Sequence, residues 1–138
     1  MAWAFKYEGL EEFKKDLRNL PHELADDGAD IVFRHARSAF VEIMQTYPER
    51  TGNLKKGMRF EESRGQFFTS VMLVNKAKHA YLFENGTELR KTDLGWPRGK
   101  MPPGRVFVRL VIKWRLRMWR AFATLMRDHG LVVHGSLP

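Results

Sequence analysis

A chain of 138 residues, with 43% hydrophobic and 29% charged side chains, has the make-up of a single globular domain over residues 1–138. The absence of cysteine excludes a disulfide framework and any thiolate-bound metal. No stretch reaches the ~18 consecutive apolar residues of a membrane span, and the net charge of +8 points to acidic partners: nucleic acid, an anionic membrane or an acidic protein face.

The start, MAWAFKYEGLEEF, meets charge at Lys6 and Glu8, unlike a cleaved secretory signal. With the lack of cysteine this implies a reducing, cytoplasmic setting. Leu10, Phe13 and Leu17 recur at helical spacing, which predicts a short helix over Glu8 to Leu20. Asn19 has the chemistry to cap a second helix, and Pro21 suits its first position. That helix is predicted to run to Tyr47, with Ala25, Ala29, Val32, Ala36, Phe40, Ile43 and Tyr47 along one face. Pro48 stops it, because the residue before a proline avoids helical angles.

ERTGNLKKG is expected to be a linker. MRFEE and FFTSVMLVN, separated by Ser63 to Gln66, predict a β-hairpin. Both faces of the second strand are largely apolar, which suggests cover on both sides. HAYLFENG predicts one or two helical turns. Asn85-Gly86-Thr87 has the form of a glycosylation acceptor, but that matters only in a secreted protein. Asn85-Gly86 is therefore expected to be a helix stop.

Thr87 to Gly104 holds Gly95, Gly99, Gly104, Pro97, Pro102 and Pro103, and predicts a long, irregular, basic loop. A last helix follows over Val106 to Asp128, its apolar stripe running through Phe107, Leu110, Trp114 and Met118. That stripe is expected to pack on Ala36, Phe40 and Ile43, with Trp114 in the core. Residues 130–138 form either a short added strand or a tail. The fold class expected from this order is α+β: a long helix and a C-terminal helix packed on a small antiparallel β-sheet.

The search for chemistry returns little. His22, His35, His79, His129 and His134 show no metal-ligand spacing. Glu23, Asp26, Asp27 and Asp30 could bind a metal or exchange protons. They also sit in the early turns of a helix, where its dipole favours acids. No P-loop, nucleophile elbow or catalytic cysteine is present. No catalytic residue, metal site or cofactor site is therefore assigned, and a non-enzymatic role is expected. The charge signal lies at the end of the chain. Arg109, Lys113, Arg117 and Arg120 share one face of the last helix, suited to phosphate or to an acidic subunit. The loop adds Arg90, Lys91, Trp96, Arg98 and Lys100 as candidate contacts for a partner.

Three segments then line up in order: TGNLKKGMRF, VNKAKHAYLFENGTE and KMPPGRVFVRL. Across residues 8–127 this order resembles the neck or tail-completion proteins of lambdoid long-tailed bacteriophages. Thr51, Gly52 and Leu54 match the family's turn. Ala80, Glu84, Gly86 and Thr87 match its second motif, although His79 stands where tyrosine is usual. Met101 and Pro102 open the third, which Pro103-Gly104-Arg105-Val106 completes differently. The resemblance implies a structural subunit of the head–tail joining region that forms a homo-oligomeric ring around the DNA path. Its implied neighbours are the connector or stopper and the tail terminator or tail-tube proteins. Its implied place is the virion, after synthesis in the bacterial cytoplasm, with no membrane contact and at most non-specific DNA contact. The alternative is a nucleic-acid-binding protein that uses the basic C-terminal helix.

Overall fold

The computed structural model describes residues 22–50, 52–65 and 69–135, with only the backbone described for His22 and Glu23. The helix expected at Glu8 to Leu20, the cap at Asn19, Pro21, and Thr51 of the first motif lie outside the described residues, as do Phe67 and Phe68.

Helix α1 spans His22–Thr46 and α2 spans Asn53–Gly57. Strand β1 is Met58–Arg64 and β2 is Thr69–Asn75. Then come α3 (Ala80–Asn85), β3 (Thr87–Lys91), β4 (Pro97–Met101) and α4 (Val106–Asp128). The class is α+β. Among the described residues there are two separate antiparallel pairs, β1–β2 and β3–β4, rather than one sheet.

At its end α1 keeps one further bond, from the Tyr47 N–H to the Ile43 carbonyl at 2.9 Å, before Pro48. The segment expected to be a plain linker contains α2, entered through Gly52 at φ 65°. The buried side of α1 is broader than one stripe. Leu24, Ala29, Ile31, Ala39, Ile43 and Tyr47 are buried, whereas Ala25 is exposed.

Helices α1 and α4 run antiparallel. Gly28, near the start of α1, faces Phe122, near the end of α4. Glu42, near the end of α1, meets Lys113. Ala29, Ala39 and Ala123 are small residues of these two helices that are buried. The centre of the core is Ile43, Tyr47 and Met58, closed over by Phe40, Leu73, Phe83, Phe107 and Leu110 among others. Phe107, Leu110 and Phe40 thus all pack on the cluster that holds Ile43.

Trp114 is a correction. It is half-buried and stands at the edge of the α1–α4 seam, with polar partners on its ring. Trp114→Ala should therefore shift the urea midpoint by less than the about 3–5 kcal/mol of a fully buried tryptophan.

The β1–β2 pair is in register from Met58↔Asn75 to Arg64↔Thr69. One face lies against α1: Phe60 meets Phe40 edge-on, with ring centroids 5.9 Å apart, and Arg64 reaches Asp26 at 3.0 Å. The opposite face is not covered as expected, for Ser70 is exposed and Met72 is 55% exposed.

The largest correction concerns Thr87 to Gly104. Most of that segment is not an irregular loop but the β3–β4 hairpin, with pairs Thr87↔Met101, Arg90↔Gly99 and Lys91↔Pro97. The register slips between these pairs, as expected of a ladder interrupted by glycine and proline. Thr92 builds the turn. Its N–H donates to the Trp96 carbonyl at 2.8 Å, and its hydroxyl accepts from the Trp96 N–H at 3.0 Å. Gly95, at φ 83°, supplies the left-handed step.

Candidate functional site

The base of this hairpin is held by the residues that carried the sequence motifs. The Tyr47 hydroxyl, at the end of α1, donates to Glu84 Oε1 at 3.3 Å. The same carboxylate oxygen accepts the Phe107 N–H at 2.9 Å. Glu84 thus caps α4 from α3, where Arg105, the residue at the cap position, offers no side-chain bond. Asn75 joins the cluster from β2. Its Nδ2 donates to the Tyr47 hydroxyl at 3.3 Å and to the Leu54 carbonyl at 3.1 Å, while its Oδ1 accepts the Ala77 N–H at 2.9 Å.

Backbone bonds complete the clamp. The Gly104 N–H donates to the Phe83 carbonyl at 2.8 Å, and the Met101 N–H donates to the Thr87 hydroxyl at 3.2 Å. Gly86 ends α3 at φ 75°, ψ −177°, so Asn85-Gly86 is a helix stop, as expected. Leu54, Glu84, Gly86, Thr87 and Met101 therefore all serve one joint, where α1, α2, α3, the hairpin and α4 meet.

Beyond the joint the hairpin stands in solvent. Arg90, Lys91, Arg98 and Lys100 are exposed. So are Leu89 at 62%, Leu94 at 86% and Trp96 at 68%. Leaving three large apolar side chains this open on one short hairpin costs solvation that a partner would recover.

The basic face of α4 divides in two. Lys113 Nζ donates to Glu42 Oε1 at 2.6 Å, and Trp114 Nε1 donates to Glu42 Oε2 at 2.5 Å. The Arg117 guanidinium lies 4.7 Å from the centre of the Trp114 ring, a cation–π distance. Lys113 and Arg117 are thus engaged within the fold. Arg109 and Arg120 are exposed and have no charged partner among the described residues. Glu42 was not foreseen in this role. The available signal was an acid between Val41 and Ile43, next to the buried side of α1.

The hydrogen bond from Lys113, and then that from Trp114, hold the Glu42 carboxyl below its ordinary value of 4.5. A depressed carboxyl stabilises the fold above its unfolded value, and that contribution is lost as pH falls through the folded value. The acid limb of stability below pH 4.5 should therefore be shallower in Glu42→Gln, as read from urea midpoints across a pH series.

Of the early acids, Asp26 and Asp27 are exposed and pair with Arg64 and, at 3.9 Å, with His129. Among the described residues no group of three His, Asp or Glu could hold a metal ion, and no helix is long and apolar enough to cross a membrane. No protein-family model, no curated protein and no solved structure matches this chain.

Proposed function

We propose that this chain is a structural, non-enzymatic subunit of the bacteriophage head–tail joining region, acting in neck or tail completion by assembly into a ring around the DNA path. The observation that supports this reading best is the β3–β4 hairpin. It is braced at its base by the motif residues and carries Trp96, Leu94 and four cations into solvent. An exposed, partly apolar arm braced at its base suits subunit contact. The partners are further copies of the chain, the connector or stopper on the head side, and the terminator or tail-tube protein on the tail side.

The nucleic-acid alternative draws on the same α4. Its phosphate face is reduced, because Lys113 is tied to Glu42 and Arg117 lies on Trp114. A path that DNA must slide through is also poorly served by many phosphate contacts, each of which adds affinity at low salt.

Light scattering of the free chain, and of the chain mixed with connector-bearing heads and with tails, tests the proposal. Assembly in either setting is expected. The charge reversal Arg109→Glu with Arg120→Glu should weaken assembly and leave duplex binding unchanged. A chain that stays monomeric throughout, yet binds duplex DNA tightly with a steep salt dependence, would replace this reading with the alternative.

A further inference from the structure

We infer that the tip of the β3–β4 hairpin seats in the groove between α1 and α4 of a second copy of this chain. This rests on the assembly reading and names the two surfaces that meet. The groove is open, with a volume of about 1100 Å³, and Phe33, Val41, Trp114 and Leu125 give it an apolar lining. Asp27 and Asp30 stand at the end nearer the start of α1. The hairpin offers the complement: Leu94 and Trp96 as apolar plugs, 86% and 68% exposed, flanked by Arg90, Lys91, Arg98 and Lys100.

Charge also gives the contact a register. The four hairpin cations suit Asp27 and Asp30. Asp93, in the hairpin turn, suits Arg34 and Arg37, which also line the groove. Mixed signs on both surfaces fix alignment more than they add affinity. Both halves lie on one chain. The groove runs along α1 from Asp27 to Gln45, and the hairpin springs from the joint beside Tyr47, past that end. A protruding patch and a concave patch at separate places on one chain meet head to tail, and such contacts close into a ring when the rotation permits.

The cysteine-free sequence makes the contact directly testable. Leu94→Cys and Val41→Cys place single thiols at exposed positions on the tip and in the groove. After mild oxidation, the mixed variants should give a disulfide-linked heterodimer on a non-reducing gel, and each alone should stay largely monomeric. A chain carrying both changes should give a ladder. Circular dichroism checks that each variant keeps the parent's fold, and light scattering gives the self-association that each retains. Trp96→Ser without any added thiol should lower self-association at least tenfold. Equal cross-linking of Leu94→Cys with itself would overturn the inference in favour of tip-to-tip pairing. Self-association of the parent with no tip-to-groove cross-link would overturn this contact and leave the assembly reading standing. A parent that is monomeric at all concentrations, with no cross-link, would overturn this contact, and the head and tail mixing experiment would then decide the assembly reading separately.

Discussion

Gly86→Ala should destabilise the chain by about 3 kcal/mol or more, through two effects that add at one atom. At φ 75°, ψ −177° the backbone of Gly86 lies in a region that is nearly exclusive to glycine. An added Cβ would also stand 2.7 Å from the Met101 carbonyl oxygen and 2.8 Å from the Pro103 nitrogen. Both are backbone atoms at the foot of the hairpin, so neither can swing aside as a side chain would. Gly95→Ala is the matched control. It too has a positive φ, 83°, but nothing lies within 4 Å of its added Cβ. That change should cost only the left-handed strain, about 1–2 kcal/mol. The difference between the two urea midpoints reads the clash together with the stricter backbone region at Gly86. Equal shifts would show that the hairpin foot yields freely and is not braced as described.

That contrast also explains which parts of the fold could be found from the sequence. Helix α4 was legible to the residue, because its apolar stripe is long and its ends are marked by Gly104 and Gly130. The α3 stop was legible because Asn85-Gly86 follows a short helical pattern. The β3–β4 hairpin was not. Most of its side chains face solvent on both sides, so no alternation of apolar and polar residues betrays it. It is held by a backbone ladder, by Thr92 in its turn and by the joint at its foot. None of these leaves a periodic trace, and Pro97 and Gly99 argue locally for a loop. Trp114 failed for a different reason. Its spacing does place it with Leu110 and Met118, but its ring is claimed by Glu42, which lies in another helix, and by Arg117. Pattern reading orders residues around one helix and is blind to a polar partner brought in by the fold. The candidate site was legible as a list of exposed cations. Its division into free and engaged members was not.

Glu84→Ala should cost about 2–4 kcal/mol, with most of the loss at the start of α4. The change deletes the acceptor of the Phe107 N–H and of the Tyr47 hydroxyl together. Each donor left without a partner in a half-buried place costs about 1–3 kcal/mol, and Asn75 remains beside the Tyr47 hydroxyl to lessen its share. Glu84→Gln is the informative companion. It keeps one carbonyl acceptor, and Oε2 of the parent is buried with no hydrogen-bond partner, so the amide forfeits no bond at that position. Its stability should stay closer to the parent than that of Glu84→Ala. Tyr47→Phe probes the same bond from the other side, and the double change should lose less than the sum, with a coupling of about 0.5–3 kcal/mol. Alkali supplies an independent check. Burial, the largest cause, pushes the Tyr47 hydroxyl up from 10.0 to about 12. A hydroxyl raised in this way stabilises the fold below its unfolded value, and the contribution is lost as pH climbs from 10.0 through about 12. That alkaline decline should be shallower in Tyr47→Phe. If Glu84→Ala instead unfolds at the parent's urea midpoint, then α4 does not depend on a cap from α3.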